Sequence, residues 1–311
     1  MLNSFFSKCF NHYTDPLSDS DCILLRQPCD SCPDELLCDE AAICDMLESL
    51  DVSKSNGPDG VSSRMLKNTA AFVAPSITKL FNQSIKSGRI PSEWKSSYVV
   101  PISKGGDTHC PGNYRPISLL PVISKLLERH IQGLILDHLD TSSPLSNQQW
   151  GFTAGRSTVT ALISTVNEWF KLLEDGLEIC AVFLDYRKAF DSVPHRVLIA
   201  KLEELHLDPY LISWVADYLT ARSQQVVVDG SISDPSPVLS GVPQGSILGP
   251  LLFLIYVNSI TEVTISPLAR CILYADDVLL YCPINSQSDY AMLQNDMNAI
   301  SEYGLMVITL L

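Results

Sequence analysis

The chain has 311 residues, 46% of them hydrophobic, and a formal net charge of −14. That size and apolar content support a packed core and two lobes, and the acidic balance excludes a strongly basic nucleic-acid binder. The longest apolar run, "ILGPLLFLIYV" (247–257), is about half of what a bilayer needs, so no membrane partner is expected. The start, "MLNSFFSKCFNHY", lacks the basic onset and long apolar stretch of a secretory signal. The expected location is intracellular, in nucleus or cytoplasm, and not secreted.

The charge is uneven. Residues 15–51 hold eleven acidic residues and one basic residue, Arg26. The overall charge therefore describes this segment more than any working surface. Residues 1–40 read as an acidic, solvated and poorly ordered extension. Five of the ten cysteines form an early cluster: Cys22, Cys29, Cys32, Cys38 and Cys44. Cys29 and Cys32 have C-x-x-C spacing, but the second pair that a zinc site needs is missing, so reduced thiols are expected.

A helix is predicted over 40–51, then turn chemistry at Asn56–Gly60, then a helix in "APSITKLFNQSIKSG" (74–88) that stops at Gly88. "SSYVVPISK" (96–104) reads as a strand, "GGDTHCPGNYRP" (105–116) as a polar loop, and "ISKLLERHIQGLILDHL" (123–139) as an amphipathic helix. Further on, "LEICAVFLD" (177–185) is a nearly continuous apolar run, as in a buried strand. "PHRVLIAKLEEL" (194–205) is a helix, with Pro194 in its first turn and Ser192 as a cap. "SQQVVVDG" (223–230) and "CILYADDVLLY" (271–281) read as strands, and "GSILGPLLFLIYVNSI" (245–260) as a buried helix. The order predicts an α+β lobe whose sheet is covered by helices on one face.

Three carboxylates stand out against this apolar background. Asp185 ends an apolar strand, where a charge is costly unless solvated or bound to a cation. Asp276 and Asp277 sit side by side at the tip of an apolar hairpin. Asp191, just ahead of a helix, reads as a cap. Either Asp276 and Asp277 mark an acidic surface turn, or they converge with Asp185 on hard cations with oxygen ligands, as magnesium prefers. Two such ions roughly 3.5–4 Å apart serve phosphoryl transfer, and the donor set does not suit zinc or iron.

Together, the motifs resemble a known family. "FLDYRKAFDSVPH" (183–195), "SGVPQGSILGPLLFLIYVNSI" (240–260) and "YADD" (274–277) are similar to successive palm motifs of reverse transcriptases. Upstream, "KSNGPDGVSSRMLK", "SEWKSSYVVPISKGGD", "NYRPISLLPVISKLLERHI" and "LSNQQWGFTAGRSTVTAL" resemble the fingers motifs of non-LTR, LINE-type retrotransposons of the jockey and CR1 kind. The resemblance runs in order over residues 44–300. "YADD" alone is weak, but ordered motifs across that span are specific.

The resemblance implies a right-hand polymerase made of fingers (41–165) and palm (166–311), the palm an antiparallel sheet backed by helices and the thumb missing. Asp185, Asp276 and Asp277 become the catalytic, metal-binding triad, with the Tyr186 backbone carbonyl as a further ligand. The implied cofactor is a pair of Mg²⁺ ions, or Mn²⁺ in their place. The implied partners are an RNA template, a DNA primer and dNTPs. Lys104 and Arg115 match basic residues that clasp the triphosphate. Phe190 matches the aromatic residue under the sugar, which also reads as ordinary core packing. Gln244 and Gly245 match the loop beside the nascent base pair, and Gly155 and Arg156 the segment near the template.

After "DYAMLQNDMNAISEY" the chain reads "GLMVITLL" where the family pattern expects a lysine-bearing segment. Two functions are therefore carried forward. One is an RNA-directed DNA polymerase domain with intact metal chemistry. The other is a truncated retrotransposon-derived protein with residual nucleic-acid binding and no synthesis. The isolated chain is expected to show little or no activity.

Overall fold

The computed structural model describes residues 1–10, 16–28, 31–142, 145–186, 188–263, 266–303 and 306–310. Its first elements are helices α1 (Leu2–Ser7), α2 (Asp19–Leu25), α3 (Glu40–Glu48), α4 (Ser63–Asn68) and α5 (Ala70–Ser87). Strands β1 (Ser96–Ser103) and β2 (Tyr114–Leu119) precede α6 (Val122–Ser142), α7 (Thr158–Glu174), β3 (Glu178–Tyr186), α8 (Ala189–Ser192), α9 (His195–Glu204) and α10 (Pro209–Leu219). Then come β4 (Arg222–Val228), β5 (Ser231–Ile232), β6 (Ser236–Val238), α11 (Leu248–Val257), α12 (Ile260–Val263), β7 (Arg270–Tyr274), β8 (Asp277–Ile284), α13 (Gln287–Tyr303) and β9 (Met306–Leu310). Among the described residues no helix is long and apolar enough to cross a membrane.

The chain packs as two units, Met1–Ser143 with Phe190–Leu252, and Pro144–Ala189 with Phe253–Leu311. Residues 190–252 pack in the first unit, where β4 pairs in parallel with β1 through Ser96↔Ser223 to Val99↔Val226. In that unit the sheet runs β2-β1-β4-β5, with β6 also on β4. The second unit holds an antiparallel sheet in the order β7-β8-β3-β9. There α7 lies against β3 and α13 against β8. Tyr281 of β8 donates to Glu168 of α7 at 2.7 Å, and Trp169 meets the Tyr281 ring edge-on at 5.6 Å.

Several expectations change on contact with the structure. The segment read as a poorly ordered leader is packed where it is described. Phe6 is 2% exposed and joins Val99 and Val226 in one cluster. The Asn3 amide donates to Asp234 O and Ser236 Oγ and accepts from Gln224. Its acidic residues do local work. Ser18 and Asp21 form a capping box on α2, and Asp21 also pairs with Arg196 at 2.7 Å. The Ser18 hydrogen bonds and that guanidinium hold the Asp21 carboxyl down to about 2. Polar density alone therefore does not signal disorder when short helices offer N-termini to carboxylates.

The residue ahead of α9 is Pro194, with no side-chain cap, and Ser192 instead closes α8. Asp191, read as a cap, lies inside α8 and accepts from the Gln244 side chain. The strand at 177–185 is not buried on both faces: Val182 and Leu184 are buried while Phe183 is 41% exposed. The nine described cysteines are free thiols, and Cys29 of the C-x-x-C pair lies outside the described residues. Of the closing segment, Met306–Leu310 forms β9, antiparallel to β3, while 304, 305 and 311 lie outside the described residues.

The first unit is pinned by a buried ion cluster. Asp217 of α10 takes the Lys95 ammonium at 2.9 Å and the Arg26 guanidinium at 3.5 Å, and accepts the Ile90 N–H at 2.8 Å. The side chains of Lys95 and Asp217 are only 12% and 8% exposed, so removing the anion strands a cation with little water to replace it. We expect Asp217→Ala to lower the unfolding free energy by about 3 kcal/mol or more, read from urea denaturation. A midpoint equal to wild type would contradict this.

Candidate active site

Strand alternation places the first carboxylate. Along β3, Val182, Leu184 and Tyr186 are buried while Phe183 and Asp185 face outward. Asp185 therefore stands on the open face of the sheet, one residue from the strand end. In β8, Asp277 is exposed and Val278 and Leu280 are buried. The antiparallel register pairs Asp185 directly with Asp277, and directly opposite residues share a face, with Cβ atoms about 5 Å apart. Like charges in that position are unfavourable.

Asp276 is held beside them by the turn. β7 ends at Tyr274 and β8 begins at Asp277, leaving a two-residue turn of Ala275 and Asp276. Ala275 has φ +57°, a left-handed conformation that costs a residue with a Cβ roughly 1 kcal/mol or more. A neighbouring segment braces the turn. The buried Gln149 side chain accepts from Ala275 N at 3.2 Å and from Gly151 N at 2.8 Å. Trp150 N donates to Leu273 O at 2.7 Å, and Leu273 N to Gln148 O at 2.9 Å. Gly151 is required by close approach: a Cβ there would run into the Ala275 nitrogen and lie 2.9 Å from the Tyr274 carbonyl carbon.

The electrostatics register this crowding. Partial burial, then the negative charges of Asp276 and Asp185, push the Asp277 carboxyl above the usual carboxylate range. Among the described residues, no group of three or more His, Cys, Asp or Glu side chains is gathered closely enough to hold an ion. The donor set is all oxygen, which fits a hard divalent cation. Tyr186, next along β3, buries its ring edge-on against Phe253 at 6.3 Å.

Gly155 and Arg156 follow in the same unit. Gly155 has φ +73°, with open space where a Cβ would stand. Arg156 turns toward its own loop, donating to Asn147 O and Gln149 O at 2.6 Å each and lying over the Trp150 ring at 4.9 Å. Part of its donor set is thus used to hold the segment that braces the Ala275–Asp276 turn.

The remaining candidates belong to the first unit. Lys104 and Arg115 are exposed at the loop end of the β1–β2 hairpin, where Ile102 pairs with Arg115 and the Lys104 N–H donates to Asn113 O at 2.7 Å. Phe190 lies in α8. Gln244 and Gly245 lie in the loop ahead of α11. The Gln244 carbonyl accepts from Ser118 N at 2.6 Å, and its side chain donates to Asp191 at 2.8 Å. Gly245 has φ +112°, and a Cβ there would meet Ser118 O at 2.6 Å.

Sequence reasoning missed the groups that frame these residues. Gln149 and Gly151 brace the carboxylate turn. Glu128, fully buried, accepts from Ile247 N at 2.8 Å and Leu248 N at 3.3 Å at the start of α11. Burial raises its pKa against the pull of those amides. His195, also buried, is pushed down to about 4, so it is neutral at pH 7 and its Nε2–H donates to Gly241 O at 2.8 Å. A Glu inside the apolar face of the 123–139 helix was the one available signal, since a buried carboxylate needs partners.

Two outcomes follow. Gly151→Ala should lower stability by about 1–3 kcal/mol through overpacking against the turn, read as a drop in the thermal midpoint; an unchanged midpoint would refute the close approach. Asp277 is harder to ionise in the folded chain, so its charge costs stability once the pH rises through its raised pKa and costs nothing below the unfolded value. In EDTA, Asp277→Asn should therefore stabilise the chain at pH 7 by roughly a few tenths of a kcal/mol, since solvent screens the pair. The gain should fade as the pH falls below about 4; a gain that is the same at all pH values would contradict the assignment.

Comparison with known proteins supplies the family. The family described as reverse transcriptase (RNA-dependent DNA polymerase) matches residues 102–307. A probable RNA-directed DNA polymerase from transposon BS of Drosophila melanogaster is 33% identical over 255 residues, covering 80% of this chain and 28% of the relative. The corresponding protein of the X-element of the same species is 36% identical over 230 residues, covering 73% of this chain and 25% of the relative. The RNA-directed DNA polymerase of its mobile element jockey is 32% identical over 220 residues, covering 70% and 24%. The chain thus spans about a quarter of the length of these relatives. Because the matched stretch takes in every candidate residue from Lys104 to Asp277, and the relatives are polymerases of such mobile elements, the chain belongs to the reverse transcriptase family, in its non-LTR, LINE-type branch.

Proposed function

We propose that this chain is the fingers and palm of an RNA-directed DNA polymerase that joins a dNTP to a primer 3′-hydroxyl on an RNA template. One observation carries the reading: Asp185 and Asp277 are register partners on the open face of an antiparallel sheet, with Asp276 in the adjoining turn. A fold gains nothing from placing like charges opposite each other. The arrangement makes sense where divalent cations and a polyphosphate neutralise it.

In this reading Asp185, Asp276, Asp277 and the Tyr186 carbonyl hold two Mg²⁺ or Mn²⁺ ions, which when bound polarise the attacking hydroxyl and the leaving pyrophosphate. The chain itself contributes position and charge. Lys104 and Arg115 take the triphosphate oxygens, the guanidinium bidentately. Phe190 packs under the sugar, and Gln244 and Gly245 flank the new base pair, where a glycine lets backbone approach closely. Gly155 and the remaining donors of Arg156 meet the template backbone. Residues 41–165 would serve as fingers and 166–311 as palm.

Primer extension on poly(rA)/oligo(dT) with magnesium tests the proposal. Whatever product the wild-type chain makes should fall at least a thousandfold in Asp276→Ala and Asp185→Ala. Product that persists in these variants would refute the assignment of the carboxylates. Template–primer binding without extension by the wild-type chain would favour a nucleic-acid-binding protein without synthesis.

A further inference from the structure

The loop that carries Gln244 is clasped by the turn that carries Phe190. Val242 N donates to Phe190 O at 2.7 Å and Gly241 N to Val193 O at 2.8 Å. Ser240 Oγ donates to Asp191 O at 2.7 Å. A Cβ at Gly241 would run into Phe190 O and lie 2.7 Å from the Asp191 Cα, so the two backbones touch without room for a side chain between them. Within this clasp the Gln244 Nε2 donates to Asp191 Oδ1 at 2.8 Å. Behind it lies a cavity of about 30 Å³, lined in part by Asp191, Gln244, Ser118, Ser240 and Arg222. That is room for a water or two.

A carboxylate only accepts hydrogen bonds, whereas a carboxamide offers two donors on one end and an acceptor on the other. Facing Asp191, the Gln244 amide must turn its NH₂ toward the carboxylate. Its carbonyl oxygen and remaining N–H are then presented in one arrangement and not as a mixture of two flips. The Phe190–Asp191 peptide links this choice to the neighbouring aromatic ring.

We propose that Asp191 is a positioning residue for the incoming nucleotide, acting by fixing the orientation of the Gln244 carboxamide and holding it in one frame with Phe190. The inference rests on the reading of Gln244 and Phe190 as nucleotide contacts. Asparagine at 191 keeps the shape but accepts either flip of the amide, so the orientation is lost while the packing stays.

The test is steady-state insertion of dTTP on poly(rA)/oligo(dT) by wild type, Asp191→Asn, Gln244→Ala and the double variant, with folding checked by circular dichroism. We expect Asp191→Asn to raise KM for dTTP about tenfold while kcat stays within about twofold, because ground-state placement is what is lost. The double variant should be no worse than Gln244→Ala alone, the signature of one residue acting through another. A wild-type KM in Asp191→Asn, or additive losses in the double variant, would overturn the inference. An Asp191→Asn chain that no longer folds would overturn it equally, by assigning Asp191 to the fold. Wild type that inserts no dTTP would remove the polymerase reading itself and this inference with it. Wild type that inserts dTTP beside an unaffected Asp191→Asn would remove this inference alone.

Discussion

The antiparallel register of β3 and β8 sets Asp185 across from Asp277, and the candidate chemistry depends on it. Eight consecutive pairs, from Glu178↔Ile284 to Asp185↔Asp277, make up the ladder. A slip of one residue would turn Val182, Leu184, Val278 and Leu280 out to water and the aspartates into the core. Those four apolar side chains are each no more than 2% exposed. Their burial, at about 25 cal/mol per Å², outweighs the repulsion of two partly solvated carboxylates. The core thus supplies the energy that keeps like charges together, and a divalent cation would relieve the strain that remains.

A second constraint lies in the turn. Ala275 adopts a backbone conformation that suits glycine, and the Gln149 side chain and Gly151 backbone keep it there. Arg156 in turn holds the Gln149 carbonyl. The acidic tip is therefore braced by neutral donors and acceptors, with a cation one step removed. In the first unit the same logic recurs around the Gln244 loop, which is fixed by His195 at its start, Asp191 and Ser118 at its middle and Glu128 at its end. Neutral His195 and the amide-bound Glu128 hold this backbone without adding a mobile charge to the loop.

Much of this was legible in the sequence, for stated physical reasons. The periodicity of 123–139 and the stop at Gly88 gave helices within a few residues of α6 and α5. The apolar runs flanking Asp276 and Asp277 gave the β7–β8 hairpin. The three aspartates were readable because charge in apolar strands is rare and costly. What stayed hidden depends on partners distant along the chain. Nothing local marks Gln149 as the brace of a turn 126 residues away. Asp191 looked like a cap because Asp before a helix usually is one, and only the approach of the 240–246 loop gives it Gln244. The N-terminal segment reads as unstructured because it is acidic and irregular, while its apolar residues, such as Phe6, pack on strands far along the chain.

The most direct measurement is Mn²⁺ binding by electron paramagnetic resonance, with template–primer and dTTP present. If Asp185, Asp276 and Asp277 form a shared cation site, the wild-type chain takes up Mn²⁺ and the Asp185→Asn/Asp277→Asn double variant, still folded, takes up none beyond that held by the nucleic acid and nucleotide. Equal Mn²⁺ uptake by both chains would contradict the account.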